Sequence, residues 1–346
     1  MMNFLYYRNW VYSSPGVPTR RITDRDVISD LVNTGLKKIL IASPEDYPTF
    51  QSPAWHTTDN FKKVSNYLID NSIDVDFITA FDVEIVPEEY NTVFKVHQWL
   101  PYFINYTLMR LATVNDTYPH SNPTKKFICL NSRATLHRKI VLDYLSKYDL
   151  IDNNIVTWAN LSSVEEYQFK YWNQKILKLE EINPQFFIRF PTEFRQTLFS
   201  LVLETNYRDF FLTEKTVKPI LLKHPFLVVG NKGFNQRLVD LGFEQYTEIF
   251  DYSFDLEDDL DTRCHLAVKM INDIPCSNYS DIAQKLQPKI EHNYWRAIDI
   301  AMTNYGMPEV IEDYVEQLPK TDELYLTSRL KDLDFIKRFI KKEHNV

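Results

Sequence analysis

The sequence predicts an α/β protein with two Rossmann-like domains. Short apolar runs alternate with longer amphipathic ones, and this pattern restarts after a polar segment in the first half of the chain. The 346 residues are enough for about two domains of ordinary size. Hydrophobic residues at 44% and charged residues at 25% are typical of a globular protein with a substantial core. We therefore predict two parallel-sheet layers that face a cleft, followed by C-terminal helices.

The first third of the chain contains two apolar runs with the length of buried strands, Ile39–Ala42 and Val75–Thr79. The spacing of apolar residues predicts a helix between them, over Phe61–Ile69. Gly35 predicts the end of a helix before the first strand. Trp99–Leu111 predicts a further helix with aromatic packing.

The pattern restarts after Tyr118–Lys126, a polar segment with two prolines that we interpret as a linker. The predicted boundaries are therefore 1–118 and 119–280 for the two domains and 281–346 for helices that pack back across both. The strands predicted in the second domain are Phe127–Leu130, Leu198–Leu203 and Pro225–Gly230, and its predicted helices are Lys139–Tyr148, Glu214–Leu222, Phe234–Leu241 and Arg263–Ile274.

Charge and cysteine content narrow the class of protein. A formal net charge of −8 provides no global attraction to nucleic acid or to an anionic membrane. This net charge is still compatible with a local basic groove that binds nucleic acid. Cys129, Cys264 and Cys276 form no CxxC pair and are predicted to be reduced, mostly buried thiols. No signal peptide and no apolar run of about 20 residues is recognisable. We therefore expect a cytoplasmic protein without a membrane span.

Glycine is scarce, with six residues in the chain, yet Gly230, Gly233 and Gly242 fall within thirteen positions. The chain has no GxGxxG and no GxxxxGK[ST] segment, which argues against a dinucleotide oxidoreductase and a P-loop NTPase. It also has no GxSxG segment, which argues against a hydrolase of that type, and no HExxH segment or Cys/His cluster at zinc spacing, which argues against a transition-metal enzyme. Phosphates, if bound, would therefore be held by side-chain cations and a helix N-terminus more than by a glycine-rich loop.

The strongest local signal for a site lies in Ser200–Gly242. A strand ends at Glu204, and Thr213 is a good N-cap for the next helix, whose free N–H groups would attract phosphate. Lys215 and Lys218 lie one turn apart on that helix and could neutralise a diphosphate, while Glu204 or Glu214 could accept hydrogen bonds from a ribose diol. The structural alternative is that Thr213 only caps the helix and that both lysines are solvated.

A second signal is the strand-to-helix turn Asn131–Arg138. Arg133 and Arg138, together with His137, would present cationic donors at the carboxyl end of a strand, and arginine is suited to bidentate contact with phosphate oxygens. The alternative is a basic first helical turn, which opposes the helix dipole and is mildly unfavourable. A ligand's negative charge would compensate this cost, which favours a functional interpretation.

These segments resemble a known family. Thr213-Glu214-Lys215 after an acidic strand end, then Lys218-Pro219 and the strand PFLVVG, resemble the donor-binding half of GT-B glycosyltransferases. The likeness is to the fucosyltransferase-like group and its relatives in viruses and bacteriophages. Asn131–Arg138 and the continuation LGFEQYTEIFDYSFD…DTR are similar to neighbouring parts of that group, so that the resemblance covers about residues 127–275.

The resemblance implies a residue set for the nucleotide-sugar donor, which is GDP- or UDP-linked. It implies that Arg133 and Lys215 contact the diphosphate, that Glu214 holds the ribose and that Glu204 lies near the donor sugar or base. It also implies an inverting transfer without a metal or a further cofactor, and a location in the host cytoplasm if the protein is viral. The full predicted donor site is Asn131, Arg133, Arg138, Glu204, Thr213, Glu214, Lys215, Lys218 and Gly230.

The first domain would then supply the acceptor site and one general base. Carboxylates that follow its predicted strands are candidates for this base: Glu45, Asp46, Asp82 and Glu84. The acceptor is predicted to be a glycan or small metabolite, or a hydroxymethylated base of phage DNA. A wide groove lined by Lys37, Lys38, Lys62, Lys63 or Arg20-Arg21 would favour DNA.

Two further features bear on the predicted function. Asp74 and Asp76 match the DxD spacing with which other glycosyltransferases hold a divalent cation. The same spacing recurs at Asp259/Asp261, and here the apolar run follows the acids, so we predict no metal site. The rival function is a non-catalytic nucleotide-sugar-binding or structural protein with a GT-B scaffold.

Overall fold

The computed structural model divides the chain into two compact units, Met1–Ile104 with Ile300–Val346, and Asn105–Asp299. It describes residues 5–8, 24–42, 58–79, 94–98, 100, 103, 107, 123–131, 134–158, 167–172, 192–275, 278–303 and 338. In these ranges the protein is α/β, with two four-stranded parallel sheets. The domain boundaries at residues 118 and 280 stay predictions.

The first unit contains one of these sheets, with its strands in the order in which they follow along the chain. All neighbouring strands are parallel. The strands are β1 (Leu5–Arg8), β2 (Lys38–Ala42), β3 (Asp74–Thr79) and β4 (Phe94–Gln98), and the helices between them are α1 (Asp24–Thr34) and α2 (Thr58–Asp70).

The apolar runs predicted as strands β2 and β3 and the helical spacing predicted as α2 are confirmed. Gly35 ends α1 with a φ of 65°, and its N–H donates to the carbonyl of Leu31, as a helix-stop glycine does. Strand β4 was not predicted, because FKVHQ alternates apolar and polar residues over only five positions. Most of the predicted helix Trp99–Leu111 lies outside the described residues.

The second unit contains the other sheet, in the strand order β6-β5-β7-β8. All of its neighbouring strands are parallel. Its strands are β5 (Lys125–Asn131), β6 (Ile155–Trp158), β7 (Thr197–Leu203) and β8 (Phe226–Val229). Its helices are α3 (Leu136–Lys147), α4 (Glu214–Leu221), α5 (Phe234–Asp240) and α6 (Leu260–Asp273), and α7 (Tyr279–Met302) follows.

The strands and helices predicted in this region are found within a few residues of the predicted bounds. The linker prediction is corrected at its end, because Lys125 and Lys126 belong to β5. The Lys126 ammonium is buried and donates to the carbonyls of Ile271 and Asn272 at the end of α6. Strand β6 was missed, since its four residues carry too short a pattern to separate from a loop.

The core of this unit lies on both faces of the sheet. Every residue of β7 and β8 is buried, which explains why these strands are almost continuously apolar. The rings of Phe127 and Phe199 on adjacent strands lie 5.9 Å apart, and Phe250 packs edge-on against Phe199 at 4.9 Å. Such a rigid sheet can hold the residues at its carboxyl edge in fixed positions.

Two other predictions concern cysteines and membrane spans. Cys129 and Cys264 are buried free thiols, as predicted, and Cys276 lies outside the described residues. Among the helices that the structure describes, none has the length and apolarity needed to cross a bilayer.

Candidate functional site

The strand order of the second sheet creates a topological switch point between β5 and β7. From β5 the chain passes through α3 to β6 on one side, and β7 then lies on the other side of β5. In open parallel sheets, ligands bind outside the carboxyl ends of the two strands that flank such a point. The segments that follow β5 and β7 here are the two segments that the sequence singled out.

Two basic residues in the first turn of α3 join these segments. The guanidinium Nη2 of Arg138 donates to the carbonyls of Leu203 and Glu204 at 2.8 and 2.9 Å, at the end of β7. His137 lies 2.9 Å from the same Glu204 carbonyl through Nε2 and 3.0 Å from the Thr135 hydroxyl through Nδ1. The two side chains therefore fix the start of α3 to the end of β7.

This arrangement corrects the prediction that Arg138 and His137 present cationic donors to a ligand. Arg138 is 1% exposed and His137 is fully buried. Burial, followed by the nearby charge of Arg138, holds the pKa of His137 well below its usual value, so the ring is neutral. Both side chains act as structural ties, and Arg133 lies outside the described residues.

Asn131 ends β5 and lies at the switch point with its side chain 1% exposed. Its Nδ2 contacts the Cys129 sulfur at 3.3 Å, whereas its Oδ1 has no hydrogen-bond partner among the residues that the structure describes. A buried amide oxygen without a donor is costly, by about 1–3 kcal/mol. Asn131 thus offers an acceptor to a group that enters between β5 and β7.

The N-terminus of α3 lacks the usual compensation of its dipole. Thr135 occupies the N-cap position without a side-chain capping bond, and the first turn of the helix contains no acidic residue. Helix N-termini of this kind attract anions, because their N–H groups carry a partial positive charge. This helix start lies beside Asn131, at the carboxyl end of β5.

The segment after β7 is built around the buried carboxylate of Glu204, which is fully enclosed. Its Oε1 accepts from the Thr213 amide at 3.1 Å and the Thr216 hydroxyl at 2.6 Å. Its Oε2 accepts from the Thr213 hydroxyl at 2.6 Å and the Thr205 amide at 3.0 Å. Four donors saturate both oxygens, so Glu204 anchors the segment rather than presenting an open carboxylate to a ligand.

The predicted N-cap of α4 is confirmed. Thr213 has extended backbone dihedral angles, and its hydroxyl oxygen accepts from the amide of Lys215 at 3.3 Å. The prediction that this helix start binds phosphate through free N–H groups is corrected, because the Glu204 carboxylate already lies there and binds Thr213. Of the two helices that begin at the switch point, α4 has Glu214 in its first turn, whereas α3 has no acidic residue there.

Three charged side chains project from the first turns of α4. The Lys215 ammonium contacts the Glu214 carboxylate at 2.6 Å and the Thr205 hydroxyl at 3.0 Å, and these two charged side chains are 20% and 25% exposed. Burial acts to raise the pKa of the Glu214 carboxyl, but Lys215 and then Lys218 outweigh it and hold this pKa below its usual value. Glu214 is therefore ionised at neutral pH.

Lys218 lies deeper, at 9% exposure. Its burial lowers the pKa of the ammonium to about 8, with Glu214 acting against this and Lys215 adding to it. A lysine at this pKa is still mostly protonated at pH 7, and a nearby phosphate would favour its charged form further. The three side chains, which we call the α4 charged cluster (Glu214, Lys215 and Lys218), carry a net positive charge.

The glycines of Gly230–Gly242 have structural roles. Gly233 and Gly242 adopt φ angles of 75° and 90° at the two ends of α5, as expected for a turn and a helix stop. At Gly230, which we predicted as part of the donor site, a Cβ would lie 3.0 Å from the ring of Phe234 and 3.7 Å from the Cβ of Glu204. Packing of the protein's own side chains explains this glycine.

A second carboxylate that the sequence did not single out lies buried nearby. Asp255 is 2% exposed and accepts from the amide and side chain of Asn235 and from the amide of Gln236, at the start of α5. Asp259 caps α6 through the amide of Thr262.

The predicted candidates for the general base, Glu45, Asp46, Asp82 and Glu84, lie outside the described residues. Of the predicted basic residues for a DNA groove, Lys37 donates to the Asn71 carbonyl, and Arg20, Arg21 and the side chain of Lys62 are not described.

Asp76 of the DxD pair is 3% exposed. Its Oδ1 lies 2.9 Å from Nε2 of His97, and its Oδ2 forms an ion pair with the Lys38 ammonium at 3.7 Å. Among the described residues, no group of three or more His, Cys, Asp or Glu side chains could hold a metal ion.

Comparisons with known proteins give one similar structure. No family model matches the chain, and no curated protein sequence matches it. A solved structure described as the DNA modifying enzyme beta-glucosyltransferase, in the presence and absence of uridine diphosphoglucose, is similar over 99% of both chains, with a TM-score of 0.39 and 10% sequence identity. At this TM-score the similarity is too distant to assign a fold family or an activity.

Proposed function

We propose that this protein is a glycosyltransferase whose second unit binds a nucleoside diphosphate sugar between β5 and β7. The observation that carries the proposal is the combination of groups at the switch point of this sheet. The start of α3 has no acid of its own, the Asn131 oxygen has no donor among the described residues, and the α4 charged cluster lies on the next helix. Each of these groups suits a different part of one ligand.

The diphosphate would lie at the start of α3, within reach of Lys215 and Lys218. Two ammonium groups and a helix dipole can stabilise the charge that develops on a nucleoside diphosphate leaving group, which is the task that a metal ion performs in other enzymes. Arg133 follows β5 directly and would add a bidentate donor there. Glu214, ionised beside both lysines, would accept hydrogen bonds from the ribose diol.

The reaction would be a direct displacement at the anomeric carbon with inversion. The acceptor oxygen forms a bond to this carbon, the bond to the diphosphate oxygen breaks, and the nucleoside diphosphate leaves with the electron pair. We propose, as the resemblance implies, that no metal takes part and that the acceptor is a glycan or a hydroxymethylated base of phage DNA. The fucosyltransferase-like subtype and a cytoplasmic location belong to the same proposal.

Binding is tested first by isothermal titration calorimetry with UDP, GDP and their sugar conjugates. We expect the nucleotide of one base to bind, and Lys215→Ala and Arg133→Ala each to weaken this binding at least about tenfold without unfolding the protein. Lys232→Ala is the matched control, because the Lys232 ammonium is 49% exposed and pairs with Asp258 rather than with a residue of the α4 charged cluster. Absence of binding by every nucleotide would contradict the proposal.

Turnover is tested second, with the donor that binds and two kinds of acceptor. Duplex DNA with hydroxymethylcytosine and a glycan array are incubated with radiolabelled donor, with and without EDTA. Transfer that survives EDTA supports the metal-independent mechanism, and the labelled acceptor decides between DNA and glycan. Donor binding without transfer or donor hydrolysis would favour the rival function, a non-catalytic nucleotide-sugar-binding protein.

A further inference from the structure

The loop that follows β7 is held in one shape by its own hydrogen bonds. This β7–α4 loop (204–213) is closed at its base by the buried Glu204 carboxylate, which accepts from amides at both ends of the loop. At the tip, the Asn206 side-chain oxygen accepts from the amides of Arg208 and Asp209 at 2.9 and 3.4 Å. Side chains at the tip of such a closed loop have a defined position, and loops of this kind often carry functional residues.

The tip of this loop lies beside the start of α3. The ring of Tyr207 packs against the imidazole of His137, in the first turn of α3, with 5.1 Å between the ring centres. The guanidinium carbon of Arg208 lies 5.4 Å from the centre of the Tyr207 ring, and its Nη2 donates to the Tyr207 hydroxyl at 3.3 Å. Two ring contacts therefore join the Arg208 guanidinium to the helix start that has no acidic residue.

Arg208 differs from the buried basic residues of this edge in its exposure. Arg138 and His137 are enclosed and bond to the end of β7, whereas Arg208 is exposed. A guanidinium has five N–H groups in a planar fork that matches the oxygens of a phosphate. Contact with the Tyr207 ring orders the side chain beforehand, which lowers the entropy lost when a ligand binds.

The same loop also positions a cation at its base. The Lys215 ammonium donates to the hydroxyl of Thr205 at 3.0 Å, next to Glu204. One loop thus brings an ammonium at its base and a guanidinium at its tip to the edge where α3 begins. The sequence did not single out Arg208, because it lies in a segment without a helix or strand pattern and only the folded chain brings this tip to α3.

We propose that Arg208 is a donor-binding residue that contacts the diphosphate from the tip of the β7–α4 loop, and that Tyr207 is its positioning residue; this inference rests on the proposed function. The diphosphate would lie between the start of α3 and the loop, with Lys215 at the base of the loop. Arg208 donates two hydrogen bonds to phosphate oxygens, and its charge stabilises the nucleoside diphosphate as it leaves.

The test measures the Kd of UDP or GDP, whichever binds, by isothermal titration calorimetry with variants of the full chain. Arg208→Gln removes the charge and should weaken binding at least about tenfold. Arg208→Lys keeps the charge but not the fork, so its loss should be smaller. Equal losses in these two variants, or an unchanged Kd in Arg208→Gln, would overturn the phosphate contact.

The matched control is Arg195→Gln. Arg195 is also exposed, but it lies two residues before β7, at the amino end of the strand whose carboxyl end carries the loop. The Kd should stay within about twofold in this variant, because salt screens exposed charges that lie more than a Debye length apart. Thermal unfolding of both arginine variants should be unchanged, since both side chains are exposed.

Tyr207 is tested by its dependence on Arg208. Tyr207→Leu removes the ring that holds the guanidinium and should weaken binding less than Arg208→Gln does. The double variant Tyr207→Leu/Arg208→Gln should bind no more weakly than Arg208→Gln alone, because Tyr207 acts through the guanidinium. Circular dichroism shows that each variant is folded, and additive losses in the double variant would overturn the positioning role.

The outcomes separate this inference from the proposed function. If the unsubstituted protein binds no nucleoside diphosphate, the proposed function fails and the assignment of Arg208 fails with it. If the unsubstituted protein binds one and Arg208→Gln binds it equally well, only the assignment of Arg208 is overturned. A loss in Arg195→Gln as large as that in Arg208→Gln would show a general effect of surface charge and would overturn this assignment as well.

Discussion

The hydroxyl of Thr213 is the group whose removal tests the architecture of the donor site most directly. Thr213→Val keeps the shape of this side chain, which is 1% exposed, and deletes only the hydroxyl. The variant loses the cap on the Lys215 amide, worth about 1 kcal/mol, and the 2.6 Å bond to the Glu204 carboxylate, worth about 1.5–3 kcal/mol. We expect the free energy of unfolding to fall by about 2–4 kcal/mol.

The matched control is Thr213→Ser, which keeps both hydrogen bonds and loses one buried methyl group, at a cost of about 0.5–1.5 kcal/mol. Urea unfolding followed by circular dichroism measures both variants, and hydrogen exchange of the Glu214–Leu221 amides shows whether the loss is local to α4. The Tm of Thr213→Val should fall by about 4–16 °C. A cost for valine that is no greater than that for serine would refute the capping and anchoring roles of this hydroxyl.

Three further predictions concern the same unit. Lys215→Ala should weaken binding of the matching nucleoside diphosphate at least about tenfold by calorimetry, since it removes a direct charge partner, whereas Lys232→Ala should not. Because burial lowers the pKa of Lys218 to about 8 and phosphate favours its charged form, affinity for the nucleotide sugar should fall as the pH rises through about 8. Lys218→Arg should remove this pH dependence in the same titrations, and an unchanged slope would contradict the assignment. Gly242→Ala should cost about 1–3 kcal/mol in thermal unfolding, because φ is 90° and the new Cβ would lie 2.7 Å from Nε of Arg296; a loss below about 0.5 kcal/mol would contradict this.

Local sequence patterns predicted most of the second sheet because its strands are buried on both faces. Such strands read as continuous apolar runs, and turn glycines and the threonine cap mark the helices between them. The short strands β1, β4 and β6 carry no such pattern. These short strands are stabilised by pairing with longer neighbouring strands that lie far from them in the sequence.

The candidate site could likewise be predicted from the sequence only in part. The sequence located the segments after β5 and β7, because polar residues that follow apolar strands must lie at one edge of a parallel sheet. It did not show which charges are buried. Glu204 accepts from Thr213, nine residues away, and Arg138 donates to the Glu204 carbonyl, 66 residues away, so that neither side chain is open to a ligand.

Sequence patterns alone therefore establish the α/β class, most strands and helices of the second unit and the position of a polar edge with both signs of charge. The strand order that makes β5 and β7 neighbours, the saturation of Glu204 by four donors and the pairing of Asp76 with His97 are found only in the folded chain. The physical reason is the separation along the chain between the residues that interact. Helix caps and apolar periodicity depend on residues a few positions apart, whereas burial, hydrogen-bond saturation and pKa depend on groups that only the folded chain brings together.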